Sequence, residues 1–564
     1  MAVPPTRSYR TLPTQAATLY PRVFGRRGAI ASEHTLSALA GIEILQAGGN
    51  AIDAAMAATL VEGVVNPQMH TIGGECPILV HQAGTGRVVC INGNMVAPGA
   101  ATPAAFRDRG LTAIPPEGVL AAGVPGAFGA VIEALLRFGS LPFFGVAALA
   151  EKFRTVWPGS AAVYLHDGAV PPEGAAILNP ALADTFQYLS DESRTGSRED
   201  GLRAAFRAFY QGDVAAAIAD YVAAHEGLLT RDDLARFTVP VEGTASVTFG
   251  GATLHKSGPW NQGPALLQTL SILKGFDLHG MGHNSAAYLH TVIEAVKLAW
   301  ADREQFYADP DFIRVPIDTL LSDAYGAKRA ALVEAGASRV MRPGDPWRDG
   351  ALLPADERLG GAAWGAGTVH VDAMDQAGHA CAATPSGAWI RHGEVMPALG
   401  FPLGTRLSNC QLAQGFPNVV APYKRPRTTI SPSLAMKGDQ PWLAFGSMGG
   451  DQQDQWQLQF YLNRCVFGMT LQQAIEAPKF SSEHFPAQFH PHEWALNRVR
   501  IEPDVGEAAL AGLRQAGHDI DVAPSWTEGF LCATERNPDT GMLEAGCDPR
   551  GVRCDIFPAA ALAY

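Results

Sequence analysis

"GAGTVHVDAMDQAGHACAATPSGAW", residues 365–389, reads as a β-hairpin. Strand-like residues flank the turn "DQAG", and the returning run "HACAAT" leads into "TPSG". Two short strands joined by such a turn bring their outer ends together. Thr368, at the start of the first strand, is thereby placed beside Thr384 and Ser386 at the end of the second. His370, two positions further on, falls on the same strand face as Thr368. A threonine hydroxyl is a weak nucleophile and needs an adjacent base. If the chain is cut before Thr368, the new α-amino group, with a pKa near about 8, is that base. Gly367 would assist by permitting a strained backbone and leaving room for attack.

A Gly-Thr pair alone is usually structural, so a second feature matters. "FGSMGGDQQ" sets Gly449 and Gly450 between a strand and a helix start. Backbone N–H groups there point outward and can receive an oxyanion.

Working outward, residues 34–47 put Leu36, Leu39, Ile42 and Leu45 at helical spacing. Gly48-Gly49 stops that helix, and Asn50 can cap the next, "AIDAAMAATLVEGVV". "CPILVHQ" and "RVVCING" read as strands. Residues 125–235 read as mostly helical, with "SDESRTGSRED" as a surface loop. "SAAYLHTVIEAVKLAWADREQFY" is a long amphipathic helix, and 336–365 is loop-like. Beyond 366, "TVHVDAM", "HACAAT", "TISPSLAMK" and "PWLAFGS" are strands, and "DQQDQWQLQFYLNRCVF" is a helix. An α-rich first part feeding a β-rich last third predicts one large sheet system.

The chain has 564 residues, 47% of them hydrophobic, enough for a large core. Its net charge of −13, with no basic run, argues against nucleic acid or an anionic membrane as partner. No run of about 18 apolar residues suggests a membrane span, and the N-terminal stretch lacks the apolar core of a signal peptide. The eight cysteines form no C-x-x-C pair, so free thiols are expected. A soluble, cytoplasmic protein is the expectation.

Four stretches carry a resemblance: "GGNAIDAAMAATLVEGVVNPQMHTIGGE" (48–75), "TVHVDAMDQAGH" from Thr368, "TTISPSLAMKGDQPWLAFGSMGGD" (428–451) and "CDPRGV" (547–552). Together they resemble the γ-glutamyltransferases, which are N-terminal-nucleophile hydrolases. The resemblance implies a four-layer αββα sandwich and self-cleavage between Gly367 and Thr368. A large subunit 1–367 and a small subunit 368–564 would stay intertwined as a heterodimer of the chain's own fragments, with further dimerisation left open. Thr368 would be nucleophile and, through its amine, base. Gly449 and Gly450 would hold the oxyanion, with Ser386 close by. No cofactor and no metal are implied.

The head-group positions depart from the family. Asn94 stands where an Arg grips the glutamyl α-carboxylate. Ser386 and Ala388 match a Thr and an Asn, the Asn contacting the α-amino group. Arg406 and Asn409 replace the Gln and Asp that accept from that ammonium. Thr428 and Thr429 replace two serines and can still donate. Thr384, Asn94, Arg406, Asn409, Thr428 and Thr429 are the candidate substrate-binding residues. Exchanging ammonium acceptors for a guanidinium disfavours a free amino-acid head group. The expected substrate is a small-molecule amide of an acid lacking an α-amino group, oxamate-like, or the acyl side chain of a larger amide. The alternatives are a glutathione hydrolase with an altered pocket and an unprocessed binding protein; cleavage of a C–C bond beside an oxo-acid is also compatible. His484, His490, His492 and Glu493 cluster in "EHFPAQFHPHEW", but their spacing matches no standard metal site.

Overall fold

The computed structural model describes residues 18–143, 179–348, 367–390, 392–489, 492, 494–553 and 559–564. Among them the strands are β1 (Val23–Gly25), β2 (Gly28–Ser32), β3 (Ile78–His81), β4 (Val88–Ile91), β5 (Val241–Gly243), β6 (Ala245–Phe249) and β7 (Ala252–Lys256). The hairpin of residues 365–389 supplies β8 (Val371–Asp375) and β9 (Ala380–Ala383). β10 (Ser433–Lys437), β11 (Gln440–Ser447), β12 (Phe480–Ser482), β13 (Arg498–Ile501), β14 (Asp519–Val522), β15 (Leu531–Arg536), β16 (Leu543–Cys547) and β17 (Ala560–Ala563) follow.

One seven-stranded sheet has the order β17-β2-β8-β9-β3-β4-β5, and a second the order β1-β16-β15-β11-β10-β7-β6. β12, β13 and β14 form a small third sheet. Both large sheets mix strands from before and after residue 367, so neither part of the chain could complete a sheet alone.

The side-chain period of two sorts each strand into two layers. Val371 and Ala373 join Ile30, Ile78 and Val80 against helices α1 (Thr35–Gln46) and α2 (Ala51–Val65) and the helix Ala127–Phe138. Met374, Ala380 and Ala382 point the other way, meeting Leu434, Met436 and Ala444 between the two sheets. Leu443, Phe445 and Leu531 pack under the helices Gly263–Leu273, Ala286–Phe306 and Gln453–Cys465. Helix, sheet, sheet, helix is the αββα sandwich that the resemblance implied, with two large sheets in place of the single system read from the element order.

Local signals explain the element ends near the site. Asn50 accepts from Ile52 and Asp53 N–H, and Asp53 returns the contact, a full capping box. Gly48 has φ +94°, the left-handed turn that closes α1. The stretch "SDESRTGSRED" is less of a loop than expected. The helix Pro180–Glu192 runs into it, and Ser197 with Asp200 forms a capping box that starts the helix Arg198–Tyr210 inside it. Residues 336–348 carry no helix or strand; the remainder of the expected loop, 349–365, includes residues outside those described. Residues 144–178 of the expected helical part likewise lie outside them.

Candidate active site

The two ends of the hairpin meet. Thr368 and Ser386 form an isolated antiparallel bridge, and Thr368 Oγ1 lies 3.1 Å from Ser386 Oγ. Ser386 Oγ also donates to the Gly367 carbonyl at 2.8 Å. Thr368 and Ser386 are both buried. Gly367 is not in the left-handed region of backbone space, so strain relief is not why glycine stands there. A Cβ at 367 would lie 2.5 Å from Gln68 O and 2.6 Å from Met69 Cα; glycine is required by close packing.

Thr384 sits one layer deeper. Its hydroxyl meets His370 Nδ1 at 2.9 Å, and His370 Nε2 meets Asp372 at 2.9 Å. Gly446 on β11 makes room for this imidazole, since a Cβ there would lie 2.3 Å from the ring. Burial pushes the Asp372 carboxyl up to about 6 against the opposing pull of His370.

The "IGGE" run lies against the same loop. Glu75 and Ser386 exchange backbone hydrogen bonds, both 2.9 Å. A Cβ on Gly74 would lie 2.1 Å from Ser386 O. This seats the Glu75 side chain beside Arg406. The Arg406 Nε donates to Glu75 Oε1, and both side chains are fully buried. Arg406 Nη2 donates to Ser386 Oγ at 2.9 Å. The guanidinium lies over the Trp389 ring at 4.9 Å and the Phe489 ring at 5.4 Å. Burial raises the Glu75 carboxyl, with the Arg406 charge opposing. Arg406 is therefore an arginine paired to a buried carboxylate. Its charge is offset within the protein.

Several buried polar atoms of this pair and of the turn that carries Arg406 have no hydrogen-bond partner among the described residues: Arg406 Nη1, Glu75 Oε2, both amide atoms of Asn409 and the hydroxyl of Thr405; the Thr429 hydroxyl is likewise unpartnered. Buried polar groups are normally satisfied, so these atoms are the candidate contacts for a ligand or for water. Gln488 ties its walls together, accepting from Arg427 Nε at 2.6 Å and donating to Asn409 O at 3.2 Å. Asn94 does not join it through its side chain. Its amide donates to Pro426 O and accepts from Met95 N, both at 2.8 Å, a structural clasp. Thr428 Oγ1 accepts from Ile430 N at 3.3 Å.

At the end of β11, Gly449 has φ +111° and Gly450 φ +60°, both left-handed. Their N–H groups have no acceptor among the described residues. A Cβ on Gly450 would stand 3.3 Å from Phe489, the ring that also covers Arg406. The loop is held from behind. Gln262 Nε2 donates to Gly450 O at 3.1 Å while Gln262 Oε1 accepts from Arg303 at 2.8 Å. Arg303 also binds Asp451 at 2.6 Å. Glu75, Trp389, Phe489, Gln262 and Arg303 were not singled out in the sequence. The string "PWNQGP" before a helix start and the Trp following "SGA" were the available signals.

In the histidine stretch, His490 and Glu493 lie outside the described residues. His484 Nδ1 accepts from Asn497 N at 2.8 Å. Elsewhere His290, Glu294 and His518 cluster, but Glu294 already binds Lys297 at 2.6 Å and Arg342 at 2.8 Å. Both carboxylate oxygens of Glu294 are thus already engaged by cations.

The αββα sandwich, taken with the relatives of this chain, defines an amidohydrolase with the N-terminal-nucleophile fold. The chain belongs to the gamma-glutamyltranspeptidase family, whose model matches residues 37–555. It is 30% identical over 558 residues to the acylase ACY 1 proenzyme of Pseudomonas sp. (strain SE83), spanning 93% of this chain and 92% of that one. It is 27% identical over 572 residues to the glutathione hydrolase proenzyme of Escherichia coli (strain K12), spanning 94% and 91%. Among solved structures, cephalosporin acylase from Bacillus halodurans has a TM-score of 0.81 at 27% identity, over 100% of this chain and 99% of that one. A variant of LmbA2991 has a TM-score of 0.91 at 37% identity, over 97% and 100%.

Proposed function

We propose that this chain is a self-processing amidohydrolase with Thr368 as nucleophile, acting on an amide of a small acid that lacks an α-ammonium group. One observation carries the nucleophile. Ser386 Oγ touches both Thr368 Oγ1 and the Gly367 carbonyl, so the hydroxyl is held beside the peptide bond whose cleavage would free its own amine. Cleavage there gives fragments 1–367 and 368–564, which stay joined because both contribute strands to each large sheet. The proenzyme relatives support this division.

In turnover, Thr368 Oγ1 attacks the amide carbonyl, and its α-amine takes the proton and passes it to the leaving nitrogen. The Gly449 and Gly450 amides receive the oxyanion. Water then releases the acid and restores Thr368. No cofactor enters.

The substrate class follows from the unpaired polar atoms. Arg406 Nη1, the Asn409 amide and the Thr429 hydroxyl offer donors to an acyl group bearing oxo or carboxyl oxygens, as in an oxamate-like amide. Because Glu75 offsets the Arg406 charge, the discrimination against an α-ammonium rests on the free Arg406 Nη1–H, which needs an acceptor that an ammonium does not supply. The acylase relatives fit this reading. The test is a panel of oxamate-type, neutral and γ-glutamyl amides. The oxamate-type amides are expected to turn over fastest, and rapid γ-glutamyl transfer to a dipeptide would refute the substrate assignment.

A further inference from the structure

The carbonyl of Gly367 receives two strong donors. Trp389 Nε1 lies 2.5 Å from Gly367 O, and Ser386 Oγ donates to the same oxygen at 2.8 Å. The indole N–H already has another acceptor, Met69 O at 3.0 Å, so satisfying a buried donor does not require the second contact. The ring is fixed by its neighbours. It lies under the Arg406 guanidinium at 4.9 Å and packs against Phe489 with centroids 6.2 Å apart. A side chain at 367 would strike the same indole, its Cβ 2.9 Å from Trp389 Cδ1.

We propose that Trp389 is a catalytic residue of self-cleavage: its indole N–H and the Ser386 hydroxyl form an oxyanion hole for the Gly367 carbonyl, separate from the Gly449–Gly450 amides that serve turnover. This rests on the assignment of Thr368 as nucleophile. Thr368 Oγ1 attacks the Gly367 carbonyl carbon. As the bond forms, negative charge gathers on the Gly367 oxygen, where Trp389 Nε1–H and Ser386 Oγ–H hold it; the Thr368 proton then passes to Ser386 Oγ as Ser386 yields its own proton to that oxygen, with Arg406 Nη2 steadying the Ser386 oxygen. Collapse breaks the Gly367–Thr368 C–N bond, and that proton goes to the departing nitrogen. Water then hydrolyses the ester, giving the Gly367 carboxylate, the free Thr368 hydroxyl and the amine. When Gly367 leaves, Trp389 keeps Met69 O, and the maturation hole has no further reactant. The Gly449 and Gly450 amides are not consumed in this way.

The test follows maturation on denaturing gels. Two variants remove the indole N–H: Trp389→Phe, and replacement of Trp389 by benzothienylalanine, which has sulfur in place of N–H and keeps the bicyclic shape. Loss of an oxyanion-hole donor lowers rates by about 10²–10³-fold, and with Ser386 still donating, maturation is expected to slow about 10- to 100-fold. Wild-type maturation of the benzothienylalanine protein would overturn the proposal, even if Trp389→Phe fails to fold. A Thr368→Ala chain that still cuts would instead overturn the nucleophile assignment, so the two failures are distinguishable.

Discussion

Glu75 and Arg406 form an ion pair with no solvent exposure of either side chain. Removing one partner of such a pair leaves an uncompensated buried charge and typically costs about 3–5 kcal/mol. Glu75→Gln and Arg406→Gln should each lower stability by that order, and the double variant by less than either. Chemical denaturation of the four proteins checks this, and additive losses would contradict it.

The same pair bears on specificity. Arg406→Gln leaves Glu75 unopposed in the pocket, so anionic amides should suffer more than neutral ones. Loss of a charge-assisted hydrogen bond, about 1.5–3 kcal/mol, corresponds to roughly a 10- to 150-fold fall in kcat/KM. Equal responses of neutral and anionic amides would remove Arg406 from substrate recognition.

Gly450→Ala places a Cβ 3.3 Å from Phe489 and forces alanine to φ +60°. The strain is about 1–2 kcal/mol, and displacement of one oxyanion donor should lower turnover by about 10²-fold. A fall of less than twofold in kcat, measured on fully matured protein, would reduce these glycines to a turn.

Gln262 acts through Gly450, whose carbonyl it anchors, and is itself held by Arg303. Gln262→Ala should lower kcat about 10-fold with KM little changed, because the loop it fixes serves the transition state more than substrate binding. A rise in KM at constant kcat would place Gln262 in the binding pocket instead.

Burial pushes the Glu62 carboxyl from 4.5 up to about 7, against hydrogen bonds from Ser32 and Asn66. A carboxyl whose folded pKa is raised contributes stability below the unfolded value, and that contribution is lost as pH rises toward the folded one. The loss here falls between about pH 4.5 and 7. Relative to wild type, Glu62→Gln should therefore gain stability on going from about pH 5 to 8. Urea melts at both pH values decide it, and an unchanged difference would contradict the shift.

The contact of Thr368 with Ser386 was legible because a short hairpin fixes its own ends: the turn at 375–378 determines which residues meet. The Asn50 cap was legible for the same local reason. The partner of Arg406 was not, because Glu75 is 331 positions away and is brought there by sheet order. Gln262 and Gly450, 188 positions apart, are likewise joined only by the packing of the folded chain. Asn94 illustrates the converse. Its position was readable from the surrounding motif, but its amide is used to clasp Pro426, which no local pattern signals.

The most direct measurement is intact mass and N-terminal sequencing of the purified protein beside Thr368→Ala. The account predicts that the wild type yields two fragments, the smaller beginning at Thr368, and that the variant stays a single chain. A wild-type chain that remains whole, or a small fragment beginning at any other residue, would contradict it.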